Sequence, residues 1–326
     1  MALLRGLLHV LIGAVLAWEV LALAHLPVVS AELRWPLAIV FALFCLWAIW
    51  WTLRRWPKAV VGLLFVALFA IWASIHPSLN RRWQPEVAVM PRVSIDGDSI
   101  HITGVRNFDY RSADDFTTRY EEREYRLSQL RSVDFFLSYW HVGPVGHTFL
   151  SFNFENQAPL SISIETRPEV GQGFDPLASL FKHFELIYVV GDERDIVRVR
   201  TNYRKEEVYL YHTTMSPEAA QRLFLVYAER INVLATDPEF YHLLSNSCTI
   251  NIVRYANRIG RVGSLDYRLV LNGWSDRYLY AAGAVDTSKP FEALRASSKI
   301  NAAAQSAGQA PDFSKRIRAG LPQPVP

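Results

Sequence analysis

The stretch Gly146-His147-Thr148-Phe149-Leu150-Ser151-Phe152-Asn153-Phe154 alternates without a break, Thr148, Leu150, Phe152 and Phe154 pointing one way and His147, Phe149, Ser151 and Asn153 the other. A period of two is that of a β-strand with one face buried. The aliphatic and aromatic side is expected to face the core, with His147 opening the strand on the opposite side. Leu160–Glu165 repeats the pattern, Ile162 and Ile164 inward and Ser161, Ser163 and Glu165 outward. Upstream, Val93, Ile95 and Ile100, Ile102 flank Asp96-Gly97-Asp98, a hairpin turn. Tyr120–Leu127 and Val133–Trp140 read as strands, the first so charged that it belongs at an edge. Downstream, Leu186–Val190, Ile196–Arg200 and Val208–Tyr211 continue an antiparallel meander with short connections.

Helical periodicity takes over at Ser216-Pro217-Glu218, where a serine cap, a proline at the first position and an acid in the first turn start a helix. Leu223, Val226, Tyr227, Ile231 and Leu234 form its apolar stripe, and Asp237-Pro238 ends it. A second helix begins at Cys248, buries Ile252, Tyr255, Ala256 and Ile259, and stops at Gly260. Strands followed by helices give an α+β domain over residues 81–285. Residues 286–326, rich in Ala, Ser, Lys and Arg with a proline-rich end, read as a docked helix and a loose tail.

Residues 1–80 belong to another solvent. Up to residue 76 the only charges are Arg5, Glu19, Glu32, Arg34, Arg54, Arg55 and Lys58, and seven of the ten tryptophans lie there. Three apolar runs, 7–26, 37–53 and 60–75, are candidate membrane spans. About 20 helical residues cross a hydrocarbon core of about 30 Å, so the second and third need their flanking tryptophans and arginines. Arg5 and the Arg54-Arg55-Trp56-Pro57-Lys58 connection lie on the cytoplasmic side by the positive-inside rule, which puts the domain after residue 77 outside the cytoplasm. Ala22-Leu23-Ala24 resembles a signal-peptide cleavage site, but the run is longer than a usual signal core, which favours a retained anchor. Glu19 is expected to face neighbouring helices.

A net charge of +3 and the lack of a basic run with interleaved aromatics exclude a nucleic-acid binder. Cys45 and Cys248, in different environments, offer neither a disulfide framework nor a cysteine-built zinc site, and no metal or cofactor signal is present.

Cys248 follows Tyr241-His242-Leu243-Leu244-Ser245-Asn246-Ser247. Asn246 or Ser247 can cap the helix, placing the sulfur beside unpaired backbone N–H groups that favour a thiolate. Polar neighbours argue against the inert, buried thiol that most lone cysteines are. A thiol nucleophile needs a base. His147 is the best placed of nine histidines, with His141, His183, His212 and His242 as rivals. Glu165, on the next strand and the same face, can orient the imidazole, with Ser163 as substitute.

Three blocks in this order, Gly146–Phe152, Ser163–Arg167 and Phe240–Thr249, resemble those of the Lnb-type periplasmic domain family. The likeness extends over roughly residues 105–320, including the Asp192-Glu193-Arg194-Asp195 turn and the late Phe313–Pro322 segment. The family often reads Asn-Asn-Cys where this chain has Asn246-Ser247-Cys248. Histidine precedes cysteine, as in circularly permuted papain-like (NlpC-type) enzymes such as the lecithin:retinol acyltransferases. The resemblance implies such a fold in a bacterial inner-membrane protein with a periplasmic catalytic domain. It further implies that an acyl chain moves from a phospholipid through a Cys248 thioester to the N-terminal amine of diacylglyceryl lipoproteins. Cys248 is then nucleophile, His147 base and Glu165 orienter. The Cys248 N–H would be one oxyanion donor, with Trp140 and His242 as candidates for the second. Competing readings are a papain-like amidase or peptidase acting on cell-wall peptides, a non-catalytic lipid- or protein-binding module, and a thiol lipase.

Overall fold

A computed structural model of the chain describes residues 2–260, 263 and 266–322. The proline-rich end expected as part of a loose tail lies outside the described residues from 323 onward. The chain divides into two compact units.

The first unit comprises Met1–Ser78 with Phe174–Glu185 and Phe240–His242. It is built on helices α1 (Ala2–Ala24), α2 (Ala31–Leu46, continued by a wider π turn over Trp47–Trp51) and α3 (Arg55–Ala73). Their spans, Gly6–Ala24, Ala31–Trp51 and Arg55–Ala73, have 19, 21 and 19 residues. The second and third are thus longer than the apolar runs alone predicted. Helix α2 takes Glu32, Arg34 and Pro36 into its first two turns, and Pro36, inside the helix, removes one backbone hydrogen bond from the ladder. Most leucines and tryptophans of these helices point outward while Ala22, Ala38, Cys45, Ala48 and Leu68 are buried. Glu19 is also buried. The Lys182 ammonium donates to the Trp72, Ala73 and Ile75 carbonyls at 3.1, 3.3 and 3.2 Å, capping the end of α3 with a segment from well beyond the spans. The division at residue 80 is therefore not a clean cut in sequence.

The second unit comprises Leu79–Gly173, Leu186–Glu239 and Leu243–Pro326. Its strands are β1 (Arg92–Asp96), β2 (Ser99–Arg106), β3 (Asp109–Tyr110), β4 (Phe116–Thr117), β5 (Tyr120–Arg126), β6 (Leu130–Tyr139), β7 (His147–Phe154), β8 (Leu160–Arg167), β9 (Glu185–Asp192) and β10 (Glu207–His212). The main sheet runs β1-β2-β9-β8-β7-β6-β10, with β5 paired to β2. The β1–β2 hairpin pairs Asp96 with Ser99, and Gly97 adopts the left-handed φ of 57° that the tight turn requires. Neighbouring pairs are antiparallel through β7–β8, β6–β7 and β10–β6, whereas β2 meets β9 in parallel at Arg106 and Gly191.

Helices cover both faces of this sheet. On the Thr148, Leu150, Phe152 and Phe154 face lie α5 (Pro217–Leu234), whose Ser216 cap accepts the Ala219 N–H, and α6 (Cys248–Ile259). Phe152 meets the Phe224 and Tyr227 rings at 5.3 and 5.5 Å. On the other face lie α4 (Glu193–Arg198), α10 (Asn301–Ala307) and α11 (Phe313–Arg316). Between α6 and α10 run α7 (Tyr267–Val270), α8 (Ser275–Ala281) and α9 (Phe291–Ser297).

Three expectations are corrected here. The Phe149 side of β7 is not solvated: Phe149 stacks on Phe136 at 4.6 Å beneath Ile196, Ile300, Ala304, Phe313 and Ile317, and Ser161 and Ser163 are fully buried. The described residues after 285 form three short helices rather than one docked helix, and their apolar residues recur at helical spacing and seal that face as far as Leu321. Ile196–Arg200 is not a strand. Asp192 accepts the Arg194 N–H at 2.8 Å and Glu193 and Asp195 occupy the first turn, a cap that starts α4 and overrides a short alternation.

Candidate active site

Strand β7 starts at His147 because Gly146 brings the chain against β6: a Cβ at 146 would stand 2.9 Å from the Ser138 carbonyl oxygen. Helix α6 starts at Cys248 with Ser247 as N-cap, although the Ser247 side chain makes no cap bond. The helix packs on β7, with Thr148 Oγ1 2.8 Å from Thr249 Oγ1. This seats the Cys248 sulfur, 2 % exposed, within hydrogen-bonding reach of His147 and Thr148. The expectation that polar neighbours keep the thiol out of the interior is thus corrected. The thiol is buried, and the pocket itself is polar.

Burial raises a thiol's pKa. Here the hydrogen bond and charge of His147, then the N–H and hydroxyl of Thr148, outweigh it and bring Cys248 down to about 6. The effect comes from named neighbours rather than from the helix terminus alone.

The imidazole is held from its far side. His147 Nε2 lies 2.7 Å from Ser163 Oγ and 3.7 Å from Glu165 Oε1. Ser163 hydrogen-bonds the Glu165 carboxylate, so its hydroxyl donates to Glu165 and accepts from Nε2–H, which leaves Nδ1 for the sulfur. Burial would raise the Glu165 pKa, but the Arg200 guanidinium, donating from Nη2 at 2.8 Å, and then His147 and Arg106 hold it well below the usual carboxylate range. Cys248, His147, Ser163, Glu165 and Arg200 form one connected chain of polar groups. Ser163 makes the direct contact to the imidazole and Glu165 stands behind it.

The other candidates occupy the following positions. The Asn246 amide donates to Glu239 Oε2 at 3.2 Å and its oxygen accepts from Asn251 Nδ2 at 2.9 Å, so it fixes the loop before α6. Trp140, 47 % exposed, follows the end of β6. His242 and His183 belong to the first unit. His141 is exposed, and His212 Nδ1 lies 2.6 Å from Asp134 Oδ1. Among the described residues no group of three or more His, Cys, Asp or Glu side chains could hold a metal ion.

Sequence reasoning missed Asn272. Its Nδ2 donates toward the sulfur at 3.5 Å while its Oδ1 accepts the Gly146 N–H at 2.9 Å. Gly273 donates to the Pro144 carbonyl at 3.0 Å and accepts from the Tyr139 hydroxyl. The only available signal was the Asn-Gly pair between two apolar residues, which reads equally well as an ordinary turn.

Compared with known proteins, residues 116–273 match the profile of a family described as the Lnb N-terminal periplasmic domain. No curated protein and no solved structure matches the chain.

Proposed function

Residues 116–273 belong to the Lnb N-terminal periplasmic domain family, and from that premise we propose that the protein is a thiol acyltransferase of the bacterial inner membrane that N-acylates lipoproteins. The observation that carries this reading is a buried cysteine, its pKa lowered to about 6 against its histidine, in a chain anchored by three apolar helices. Exposed apolar side chains near in sequence to the site residues support a lipid substrate. Trp140 and Val142 on the loop entering His147, and Tyr267, Val270 and Trp274 flanking Asn272, remain exposed apolar side chains. Tethering by the helices keeps the domain at a bilayer and raises the effective concentration of lipid donor and lipoprotein acceptor.

In the first half-reaction the Cys248 thiolate forms a bond to an ester carbonyl carbon of a phospholipid and the carbonyl π pair moves to oxygen. The tetrahedral oxyanion collapses, the carbon–oxygen ester bond breaks, and the departing lysophospholipid alkoxide takes the proton that His147 received from the thiol. The acyl chain is now a thioester. In the second half-reaction the α-amine of an S-diacylglyceryl cysteine attacks that carbonyl, His147 takes the amine's proton, and the thiolate leaves. The His-before-Cys order is that of permuted papain-like enzymes, and we assign the domain to that architecture as part of the same reading.

The test is mass spectrometry of the first residue of a model lipoprotein from cells carrying the wild type or Cys248→Ala. The reading expects N-acylated cysteine with the wild type alone. An unacylated cysteine in both, with cell-wall peptides released only by the wild type, would replace it with the amidase reading.

A further inference from the structure

We infer that Asn272 is a catalytic residue, the side-chain oxyanion donor of the Cys248 site. The inference rests on the acyl-transfer reading for its substrate, but its geometry is independent of which ester is used. Thiolate attack on a carbonyl leaves a full negative charge on oxygen next to the sulfur, and donors fixed in advance toward that place stabilise it. The N–H groups of the first turn of α6 have no intrahelical partners and supply one donor, the Cys248 N–H.

Asn272 supplies the other. Its amide cannot turn over: Gly146 N–H is a donor and needs Oδ1, so Nδ2 is the atom left facing the sulfur, 3.5 Å away. Its backbone is fixed as firmly. Ser275 Oγ donates to the Asn272 carbonyl at 2.7 Å. A Cβ on Gly273 would stand 2.2 Å from the Gly143 carbonyl oxygen, so the Asn-Gly turn is pressed onto the loop that delivers His147. Asn272 is 7 % exposed. A buried amide with one end fixed by an obligatory donor and the other aimed at a reactive atom is preorganised rather than adaptable. The Gly146 bond also couples the halves of the site, since the residue before the base and the amide that meets the oxyanion move as one.

Asn272→Asp keeps an oxygen for Gly146 and puts a second oxygen where the N–H stood. The experiment compares two reactions of Cys248 in the full-length protein in proteoliposomes. Acylation by p-nitrophenyl acetate, followed by nitrophenolate release, passes through an oxyanion. Alkylation by iodoacetamide, measured on its high-pH plateau, does not. Asn272→Asp and Asn272→Ala are expected to slow acylation by roughly 10²- to 10³-fold while the alkylation plateau stays near that of the wild type. If acylation and alkylation fall in parallel in both variants, Asn272 merely supports the fold of the site and the inference is overturned. The ester probe separates this result from the fate of the acyl-transfer reading. Wild-type protein that reacts with the ester but takes no acyl group from phospholipid would remove the proposed donor and leave the assignment of Asn272 standing.

Discussion

Ser163 stands between His147 and the Glu165 carboxylate: its hydroxyl oxygen is 2.7 Å from His147 Nε2, whereas the nearest Glu165 oxygen is 3.7 Å from the same nitrogen. The imidazole is therefore oriented through a hydroxyl, with negative charge one step removed and itself balanced by Arg200. Removing the bridge and removing the charge should have separable consequences.

Ser163→Ala takes away the direct partner of Nε2. Loss of a buried hydrogen bond of about 1–3 kcal/mol corresponds to roughly 5- to 150-fold in rate if it is expressed wholly at the imidazole. Single-turnover acylation should fall within that range while the urea midpoint changes little. Glu165→Gln should show the converse emphasis, because it leaves the buried Arg200 guanidinium without its carboxylate. A stability loss of about 1–3 kcal/mol is expected, below that of a fully buried pair because Glu165 is partly exposed. Equal midpoints for Glu165→Gln and wild type would show that Arg200 finds adequate partners elsewhere.

The thiolate should be visible in the pH profile of alkylation. Because its folded-state pKa is lowered to about 6, Cys248 is expected to react with iodoacetamide with a midpoint near that pH, falling off on the acid side as the thiolate is protonated. His147→Ala removes the largest lowering influence and leaves burial opposing ionisation, so the midpoint should move upward, past that of an ordinary cysteine at about 8.5. Acylation should then fall by roughly 10²-fold or more through loss of the general base. A wild-type midpoint at an ordinary cysteine value would contradict the pairing.

Gly273→Ala tests the contact of the two loops. With the Gly143 carbonyl oxygen 2.2 Å from an ideal Cβ, one of them must shift, at a cost of about 1–3 kcal/mol. Acylation should fall along with the thermal midpoint. A variant with full activity would show that the Asn272 turn moves without disturbing the sulfur.

Far from the sulfur, Arg318 joins the end of the chain to the sheet. Its guanidinium donates to Asp134 at 2.8 Å and Glu193 at 2.6 Å, two carboxylates with no exposed surface. Arg318→Ala strands both, and about 3–5 kcal/mol of stability should be lost in urea unfolding. A loss under 1 kcal/mol would show that His212, 2.6 Å from Asp134, compensates alone.

Strand positions on β6 to β10 and both ends of α5 and α6 were legible because local signals agreed with the fold: period two, a serine–proline start, a glycine stop. What failed was whatever depended on a distant segment. The polar alternation of Ser161, Ser163 and Glu165 looked solvent-facing because nothing near them shows that Ile300, Phe313 and Ile317 return to cover that face. The same blindness hid the burial of Cys248. Ser163 and Glu165 were readable as neighbours of His147 through strand parity. Asn272 was not, because its place beside the sulfur is set by Gly146 and the Gly143–Val145 backbone, more than a hundred residues earlier. The Ile196–Arg200 alternation was too short to outweigh the Asp192 cap.

The central claim is that Cys248 carries an acyl group taken from a phospholipid. Full-length protein in proteoliposomes containing acyl-labelled phospholipid, quenched before an acceptor is added, should carry label at Cys248 that hydroxylamine removes, and Cys248→Ser should carry no hydroxylamine-sensitive label. Equal labelling of the two proteins, or none on a wild type whose thiol still alkylates with a midpoint near pH 6, would contradict the account.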